Sequence, residues 1–509
     1  MDIVNVGTVS RDSIIAPMQT MPINIYSVAS VREIDRTAIE DYGIPGYTLM
    51  TRAGEAALRA ARRRFPDAKR WQVICGAGNN GGDGYVVARL AANDGMLVSV
   101  VSMVDPRSLA GDAATACEDF VAEGGVVMPW DGECDDEAEL LVDAILGSGL
   151  EREVGGEFAK AVAAINEHSA GVLSLDVPTG INADTGATLG CAVKADLTVT
   201  FVGLKAGLFL DCAPDYCGEL RYDGLDVPDE CRAGVKPELR RIDDALMRDA
   251  LPPRRRTAHK GDFGHVLVIG GGEGMPGAVC LCGEAALRAG AGLVSIATAP
   301  AHAAFIAASR PELMPHGVRE AADLEPLLQK ADVIAFGPGL GRSKWARSLF
   351  EAVVADARPA VWDADALYWL ARQPNRADAR VITPHPGEAG ALLKLSTADI
   401  QSDRLSAVRA LQQQFGGIAV LKGSGSLISS AGGIPSICTS GNPGMASAGM
   451  GDVLTGVIAA LLAGGRSPEQ AALVGVEAHA RAGDMAALRG QRGLIASDLL
   501  LELRAVINP

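Results

Sequence analysis

Aromatic residues make up only 4% of this 509-residue chain, and nothing in it reaches the roughly 20 consecutive apolar residues that span a bilayer. With 60 glycines and 48% hydrophobic residues, the aromatic deficit disfavours a β-sandwich and points to closely packed α/β layers of small side chains. Positive charge is also in deficit, at a net −16. That argues against a broad nucleic-acid footprint, which needs clustered Lys and Arg to neutralise phosphates. Small anionic ligands stay open, because backbone N–H groups at helix ends bind phosphate without any basic residue. The ten cysteines are scattered, the closest pairs being Cys280-x-Cys282 and Cys212-x4-Cys217, with no CxxC repeat and no histidine cluster nearby. Free buried thiols are expected rather than zinc ligands or disulfides. Residues 1–22 lack the basic and apolar regions of a secretory signal, so a cytoplasmic protein without membrane association is expected.

What is present is alternation. The length suits two domains of roughly 200 to 280 residues. An arm without periodicity, 1–24, precedes helical patterns at 30–42 and 47–65. Strand-like apolar runs at 71–75, 97–101, 140–146, 171–177 and 196–202 follow at helix-length intervals, with a helix expected over 84–93. Strands alternating with helices predict βαβ units and a parallel sheet. Proline and charge interrupt the rhythm over 225–260, which has the composition of an interdomain connection. Alternation resumes with strands at 265–270, 292–298, 332–336, 360–363, 381–383 and 418–421. The predicted layout is therefore an arm, 1–24, and two domains, 25–240 and 241–509. The run Arg254-Arg255-Arg256 suits a solvated charge run better than a phosphate clamp.

In the first domain a glycine-rich segment, Gly76-Ala77-Gly78-Asn79-Asn80-Gly81-Gly82-Asp83-Gly84, joins a predicted strand to a predicted helix. Glycines there admit close backbone approach, and the helix start offers N–H groups to phosphate. Its spacing fits neither G-x-G-x-x-G nor a phosphate loop with its lysine. By itself the segment is as well explained by a tight βα corner. Two aspartates at strand ends shift that balance: Asp143 in LVDAILGSG and Asp176 in LDVPTG. Carboxylates ending buried strands must be paired, hydrogen-bonded or metal-bound, and in an open α/β sheet such ends converge on the ligand crevice. Oxygen donors from Asn80, Asp143 and Thr179 suit an alkali or alkaline-earth ion, and Asp176 is a candidate acid/base.

These motifs, in this order, resemble the NAD(P)H-hydrate epimerases across roughly 26–231. The resemblance implies a Rossmann-like α/β/α domain that interconverts R and S hydrates at nicotinamide C6. It places the substrate against Asn79, Asn80, Gly81, Gly82, Asp83, Gly147, Ser148, Gly149, Leu150, Glu151, Arg152 and Glu153, beside Asp176. It also implies K+ near Asn80, Asp143 and Thr179, where Thr179 stands in place of the serine of many relatives.

In the second domain NPGMASAGMGD, ending at Asp452, leads into an apolar helix. Glycines before a helix start form an anion hole, and a carboxylate at its edge can take the proton of a hydroxyl attacking a phosphoryl group. An N-cap aspartate is an equally good account of that residue alone. Lys422-Gly423-Ser424-Gly425-Ser426, after a strand, offers a cation and hydroxyls to a nucleotide phosphate. Gly337-Pro338-Gly339-Leu340-Gly341 and Thr383-Pro384-His385-Pro386-Gly387-Glu388 end two more strands. Asp363 and Asp365 suit a metal-linked phosphate or a loop cap.

Together HKGDFG, GPGLG, WDADAL, TPHPGE, LKGSG and NPGMASAGMGD resemble the ADP-dependent hydrate dehydratases over about 242–508, a branch of the ribokinase-like fold. The resemblance implies phosphorylation of the C6 hydroxyl of the S hydrate and loss of phosphate, with ADP converted to AMP and Mg2+ in attendance. It makes Asp452 the base, gives the nucleotide to Lys422, Gly423, Ser424, Gly425, Ser426 and Gly451, and gives the hydrate to Ala278, Gly339 and His385. Met450 replaces the threonine of many relatives. A homo-oligomer, tetrameric or larger, is expected. The rival reading is a ribokinase-like small-molecule kinase fused to a non-catalytic binding module, with a stable phosphorylated product.

Overall fold

A computed structural model describes residues 21–509. The chain divides into two compact units, one ending at Leu239 and the other spanning Arg240–Pro509. Residues 1–20 of the expected arm lie outside the described residues. The last residue of the arm, Asn24, opens a strand, Asn24–Tyr26, that pairs in parallel with Leu204–Lys205.

In the first unit seven strands make one parallel sheet: β1 (Arg70–Cys75), β2 (Leu97–Ser102), β3 (Val127–Pro129), β4 (Leu140–Ala144), β5 (Gly171–Leu175), β6 (Leu197–Phe201) and β7 (Glu219–Asp223). Their spatial order is β3-β2-β1-β4-β5-β6-β7. The inner strands are buried on both faces, which is why they read as continuous apolar runs rather than alternating ones. The order reverses between β1 and β4, and loops leaving the carboxyl ends of those strands part there to form a crevice.

The expected helix at 84–93 starts earlier, at Asn79, so Asn79–Asp83 form its first turn and not a loop. The glycines misled because they serve packing rather than turning. A Cβ on Gly81 would stand 2.2 Å from the Gly76 carbonyl oxygen, and one on Gly84 would stand 2.5 Å from Ala144 Cβ. The helix lies directly on the strand ends, and only residues without a side chain permit that approach.

The second unit repeats the pattern with β8 (His265–Ile269), β9 (Leu293–Thr298), β10 (Met314–Gly317), β11 (Val333–Phe336), β12 (Ala360–Trp362), β13 (Arg380–Ile382), β14 (Ile418–Leu421), β15 (Ser426–Ser429) and β16 (Ser436–Cys438). Their order is β10-β9-β8-β11-β12-β13-β14-β15-β16, parallel through β14 and antiparallel for the last two pairings. The helix Met450–Ala463, apolar almost throughout, packs on Pro276–Arg288. A Cβ on Gly456 would meet the Cys282 carbonyl oxygen at 2.1 Å.

The expected connection over 225–260 is largely structured. It holds the helices Glu230–Ala233 and Asp244–Ala250, and Met247 and Ala250 enter the second core. Proline and charge around it conceal that short apolar spacing. Arg254 donates to the Gly290 carbonyl at 2.6 Å and stacks on Phe263, while Arg255 and Arg256 are exposed. All ten cysteines are free. Among the described residues no helix is long and apolar enough to cross a membrane.

Candidate active sites

A cavity of about 910 Å3 opens where the first sheet reverses. Its lining includes Asn79, Asn80, Asp83, every residue of 145–152, and Asp176. It also includes three residues that sequence reasoning missed: Arg32, Asp35 and Lys205. Gly81 and Gly82 are buried beneath it, and Glu153, expected with its neighbours, is exposed and does not line it. The chain has turned away toward the Leu189 pairing of Val154 by that point.

Asp176 follows β5 with φ 63, in the left-handed region. A non-glycine residue there costs on the order of 1–3 kcal/mol and persists only where its surroundings hold it. Its backbone N–H donates to the Val199 carbonyl at 2.8 Å. Its carboxylate accepts from Lys205 Nζ and from Thr200 Oγ1 at 3.2 Å. Lys205 is 2% exposed. Its ammonium is completed by Thr200 Oγ1 at 3.1 Å and the Phe201 carbonyl at 2.8 Å. The Tyr26–Lys205 register sets its height beside the cavity. Burial pushes the Asp176 carboxyl up, but the Lys205 ammonium and hydrogen bonds from Lys205, Ser148 and Thr200 outweigh it and hold the group below the usual range. A carboxylate so paired is held in its ionised form. Lys205 did leave a trace in the sequence, as the lone charge in the apolar run from 197 to 210. Asp35 left none, since Arg32, Glu33 and Arg36 surround it on an ordinary amphipathic helix.

Asp143 is fully buried and hydrogen-bonded. It accepts from Thr179 Oγ1 at 2.6 Å, Ser174 Oγ at 2.8 Å and Thr179 N at 2.9 Å. Thr179 Oγ1 also accepts from the backbone N–H of Leu146 at 2.9 Å, next to Gly147. A Cβ on Gly147 would lie 3.1 Å from Asn80 Cγ. Asn80, Asp143 and Thr179 are thus linked through one short segment. Both polar atoms of the Asn80 amide are buried without a hydrogen-bond partner, so an oxygen donor stands ready beside a buried carboxylate and hydroxyl. That set fits a hard, weakly demanding cation.

In the second unit the helix bearing Asp452 begins at Met450, preceded by Gly449 with φ 90 and no side-chain cap, so its first N–H groups remain open to an anion. Asp452 lies in that first turn and has no ion-pair partner among the described residues. Burial, and then repulsion from Asp363, push its carboxyl up to about 7 against the pull of Lys422. A group titrating near neutrality suits general base work. His479, buried behind this helix start, is pushed down to about 4 by burial and is neutral.

Lys422 is not the free cation expected for a phosphate. Its Nζ sits 2.7 Å from Asp363 Oδ1 and 3.9 Å from Glu388 Oε2, and Thr455 Oγ1 donates to Asp363 at 3.2 Å. Buried carboxylates left without that ammonium would be too costly, so Lys422 is committed. Asp363, read as a metal or loop residue, is this pair's other half. A Cβ on Gly451 would stand 2.9 Å from Asp363 Oδ2 and 3.1 Å from Lys422 Nζ, which explains the glycine of GMGD. The segment 422–426 is tied down by Arg404, whose guanidinium reaches the carbonyls of Lys422 and Ser424. Ser426 Oγ donates to the Gly423 carbonyl at 3.1 Å, and Gly423 and Ser424 are the exposed part of the turn.

His385 caps the helix Pro386–Leu393: its Nδ1 accepts from Gly387 N at 3.1 Å and Glu388 N at 3.3 Å. The ring is half exposed. Gly339 and Ala278 do meet, since a Cβ on Gly339 would lie 3.0 Å from Ala278 Cβ. Their loops are zipped by Gly272 N donating to the Gly339 carbonyl at 2.7 Å, at the point where the second sheet reverses.

Fold and sites define a two-domain α/β enzyme, a Rossmann-like half with an acidic crevice and a ribokinase-like half with a glycine-framed aspartate. Residues 46–207 match the family model for the YjeF-related protein N-terminus, and 266–504 match that for NAD(P)H-hydrate dehydratase. The chain is 47% identical over 486 residues to the bifunctional NAD(P)H-hydrate repair enzyme Nnr of Coxiella burnetii, covering 95% of this chain and 99% of that one. The corresponding Escherichia coli protein is 43% identical, with 96% and 95% covered. Among solved structures, a ribokinase-like superfamily protein of Enterococcus faecalis V583 is 28% identical with TM-score 0.50, over 53% of this chain and 98% of that one. The chain belongs to the family of bifunctional NAD(P)H-hydrate repair enzymes. It is an isomerase and a lyase, epimerising and dehydrating NAD(P)H hydrates, and the reading as a small-molecule kinase with an inert first half is not favoured.

Proposed function

We propose that the second site transfers the terminal phosphoryl group of ADP to the C6 hydroxyl of the S hydrate, and that the first supplies that configuration from the R hydrate. The observation that carries the reading is Asp452: without an ion-pair partner among the described residues, titrating near 7, and set at an uncapped helix start. Asp452 takes the hydroxyl proton as the C6 oxygen attacks phosphorus, and AMP departs. Open N–H groups of the helix start stabilise charge on the transferring group. The C6–O bond then breaks with loss of phosphate and of a C5 proton, regenerating the dihydronicotinamide. Gly423, Ser424, Gly425, Ser426 and Gly451 approach the nucleotide, with Lys422 acting through Asp363. Ala278, Gly339 and His385 border the hydrate. Mg2+ accompanies the phosphates of ADP.

In the first site Asn80, Asp143 and Thr179 would hold K+, which when bound supplies positive charge beside the cavity. Asn79, Asn80, Asp83, Gly147, Ser148, Gly149, Leu150, Glu151 and Arg152 line the substrate's place, and Asp176 provides fixed negative charge. The protein works in the cytoplasm as a homo-oligomer, a tetramer or larger.

The test is to give purified protein a mixed R/S hydrate with ADP and Mg2+ and follow dihydronicotinamide absorbance. Full recovery is expected. Recovery of half the substrate would remove the epimerase role, and recovery without nucleotide would remove the phosphoryl-transfer role. Replacing ADP by ATP in the same assay reads the donor preference.

A further inference from the structure

Asp35, Asp83, Asp176 and Lys205 reach one cavity from four separate segments, yet they are not equally engaged. Asp176 is held by Lys205 and Thr200. Asp35 and Asp83 accept no hydrogen bond from the described residues, although both lie within electrostatic reach of Asp176 and Lys205. A half-buried carboxyl with no donor is left to bind a proton or a ligand. The unpartnered Asn80 amide lines the same wall, so the cavity presents further polar atoms that only an occupant can satisfy.

We propose that Asp35 and Asp83 are the proton-transfer pair of the epimerisation, with the Asp176–Lys205 ion pair as fixed charge beside them. The proposal deepens the epimerase assignment and depends on it. In the hydrate, the lone pair of ring N1 can expel the C6 hydroxyl. One carboxyl donates its proton to that hydroxyl, the C6–O bond breaks, water leaves, and an N1=C6 iminium forms with C6 planar. The other, ionised, carboxyl takes a proton from water as its oxygen bonds to C6 on the opposite face. N1 recovers its electron pair and the inverted hydrate results. One proton is given and one is taken, and no oxidant or co-reactant is needed. The ionised Asp176 stabilises the cationic ring.

Five carboxyls line the cavity, and three of them, Asp35, Asp83 and Asp176, interact with one another and with the buried ammonium of Lys205, while Asp112 and Glu151 complete the set; like charges at short range cannot all stay ionised. Burial lifts Asp35 to about 6, with Lys205 and Arg232 pulling it down and Asp176 pushing it up. Burial and repulsion from Asp176 and Asp35 lift Asp83 well above the ordinary range. Arg32 and Arg152 border the same space. Both carboxyls are thus shifted toward the protonated form that the donating half of the step needs.

The full-length protein is given R hydrate without ADP, and R and S forms are separated and quantified. Asp35→Asn and Asp83→Asn should each slow inversion by about 100-fold or more, the usual weight of general acid–base catalysis. Asp35→Glu should recover at least about a tenth of the activity while shifting the acid limb of the pH–rate profile, as expected where a carboxyl and not its shape is needed. Dehydration of S hydrate with ADP should stay unchanged. In 18O-labelled water, wild-type protein should place one labelled oxygen at C6 per inversion. Inversion by Asp35→Asn within about twofold of wild type, equal losses in the Asn and Glu variants, or inverted hydrate without label would overturn the proposal. The label experiment and the wild-type pH–rate profile need no variant to fold, and loss of inversion in wild type would instead remove the epimerase assignment.

Discussion

The two halves share a strand order, with the chain reversing between its first and fourth strands, yet their key aspartates are prepared in opposite ways. Asp176 is twisted into a left-handed turn and locked to a buried lysine, so it stays ionised. Asp452 has no ion-pair partner among the described residues, is buried, and sits beside a carboxylate whose own lysine is already engaged, so it titrates near 7. Topology explains where each carboxylate stands, at the reversal of a parallel sheet. It does not explain what the carboxylate does. That depends on whether a cation is delivered to it or to its neighbour.

The largest test of this contrast is Asp452→Asn, which should lower dehydration by about 100-fold or more, while inversion of the R hydrate continues at the wild-type rate. Loss of both activities would mean that the halves are not independent in the way their structures suggest. Next is Lys205→Met, which strips the ammonium from a buried carboxylate, a change that typically costs about 3–5 kcal/mol. Thermal unfolding of the first unit should fall accordingly, and Lys205→Met/Asp176→Asn should recover much of the loss; a double variant no more stable than the single one would dismiss the pairing argument.

The pH dependence follows from the same difference. A base with a carboxyl near 7 works only when deprotonated, so kcat/KM for dehydration should rise through about pH 7 and level off above it. Asp363→Asn removes the neighbouring charge that raises Asp452, and should move that rise to lower pH; an unmoved profile would assign the titration elsewhere. Smallest is Gly451→Ala, whose added methyl crowds Asp363 and Lys422 at about 3 Å. It should cost about 1–2 kcal/mol of nucleotide binding, visible as a higher KM for ADP.

Much of this was legible beforehand. Buried parallel strands announce themselves as continuous apolar runs, and a carboxylate ending such a run needs a reason to be there, which is how Asp143 and Asp176 stood out. Other features hid for identifiable reasons. The glycines of 76–84 read as a loop because composition does not say whether a missing side chain frees the backbone or admits a neighbour. Glu153 was carried along by its neighbours in sequence, and the helix Asp244–Ala250 was masked by proline and charge. Asp35 sits among charges on a helix surface, where one more acid carries no signal.

The order and type of most elements and the strand-end carboxylates Asp143 and Asp176 were legible in the sequence alone, because hydrophobic period and strand-end chemistry are local, while the division of labour between the domains and the place of Asp452 in it came from the resemblance of whole motifs to the hydrate epimerases and dehydratases. Which cation meets which carboxylate was decided only in three dimensions. Lys205 lies 29 residues from Asp176 and Lys422 lies 59 from Asp363, and no local pattern links them. Charge interacts through space and through whatever water has been excluded, so the chemistry of each aspartate was set when the chain closed around it.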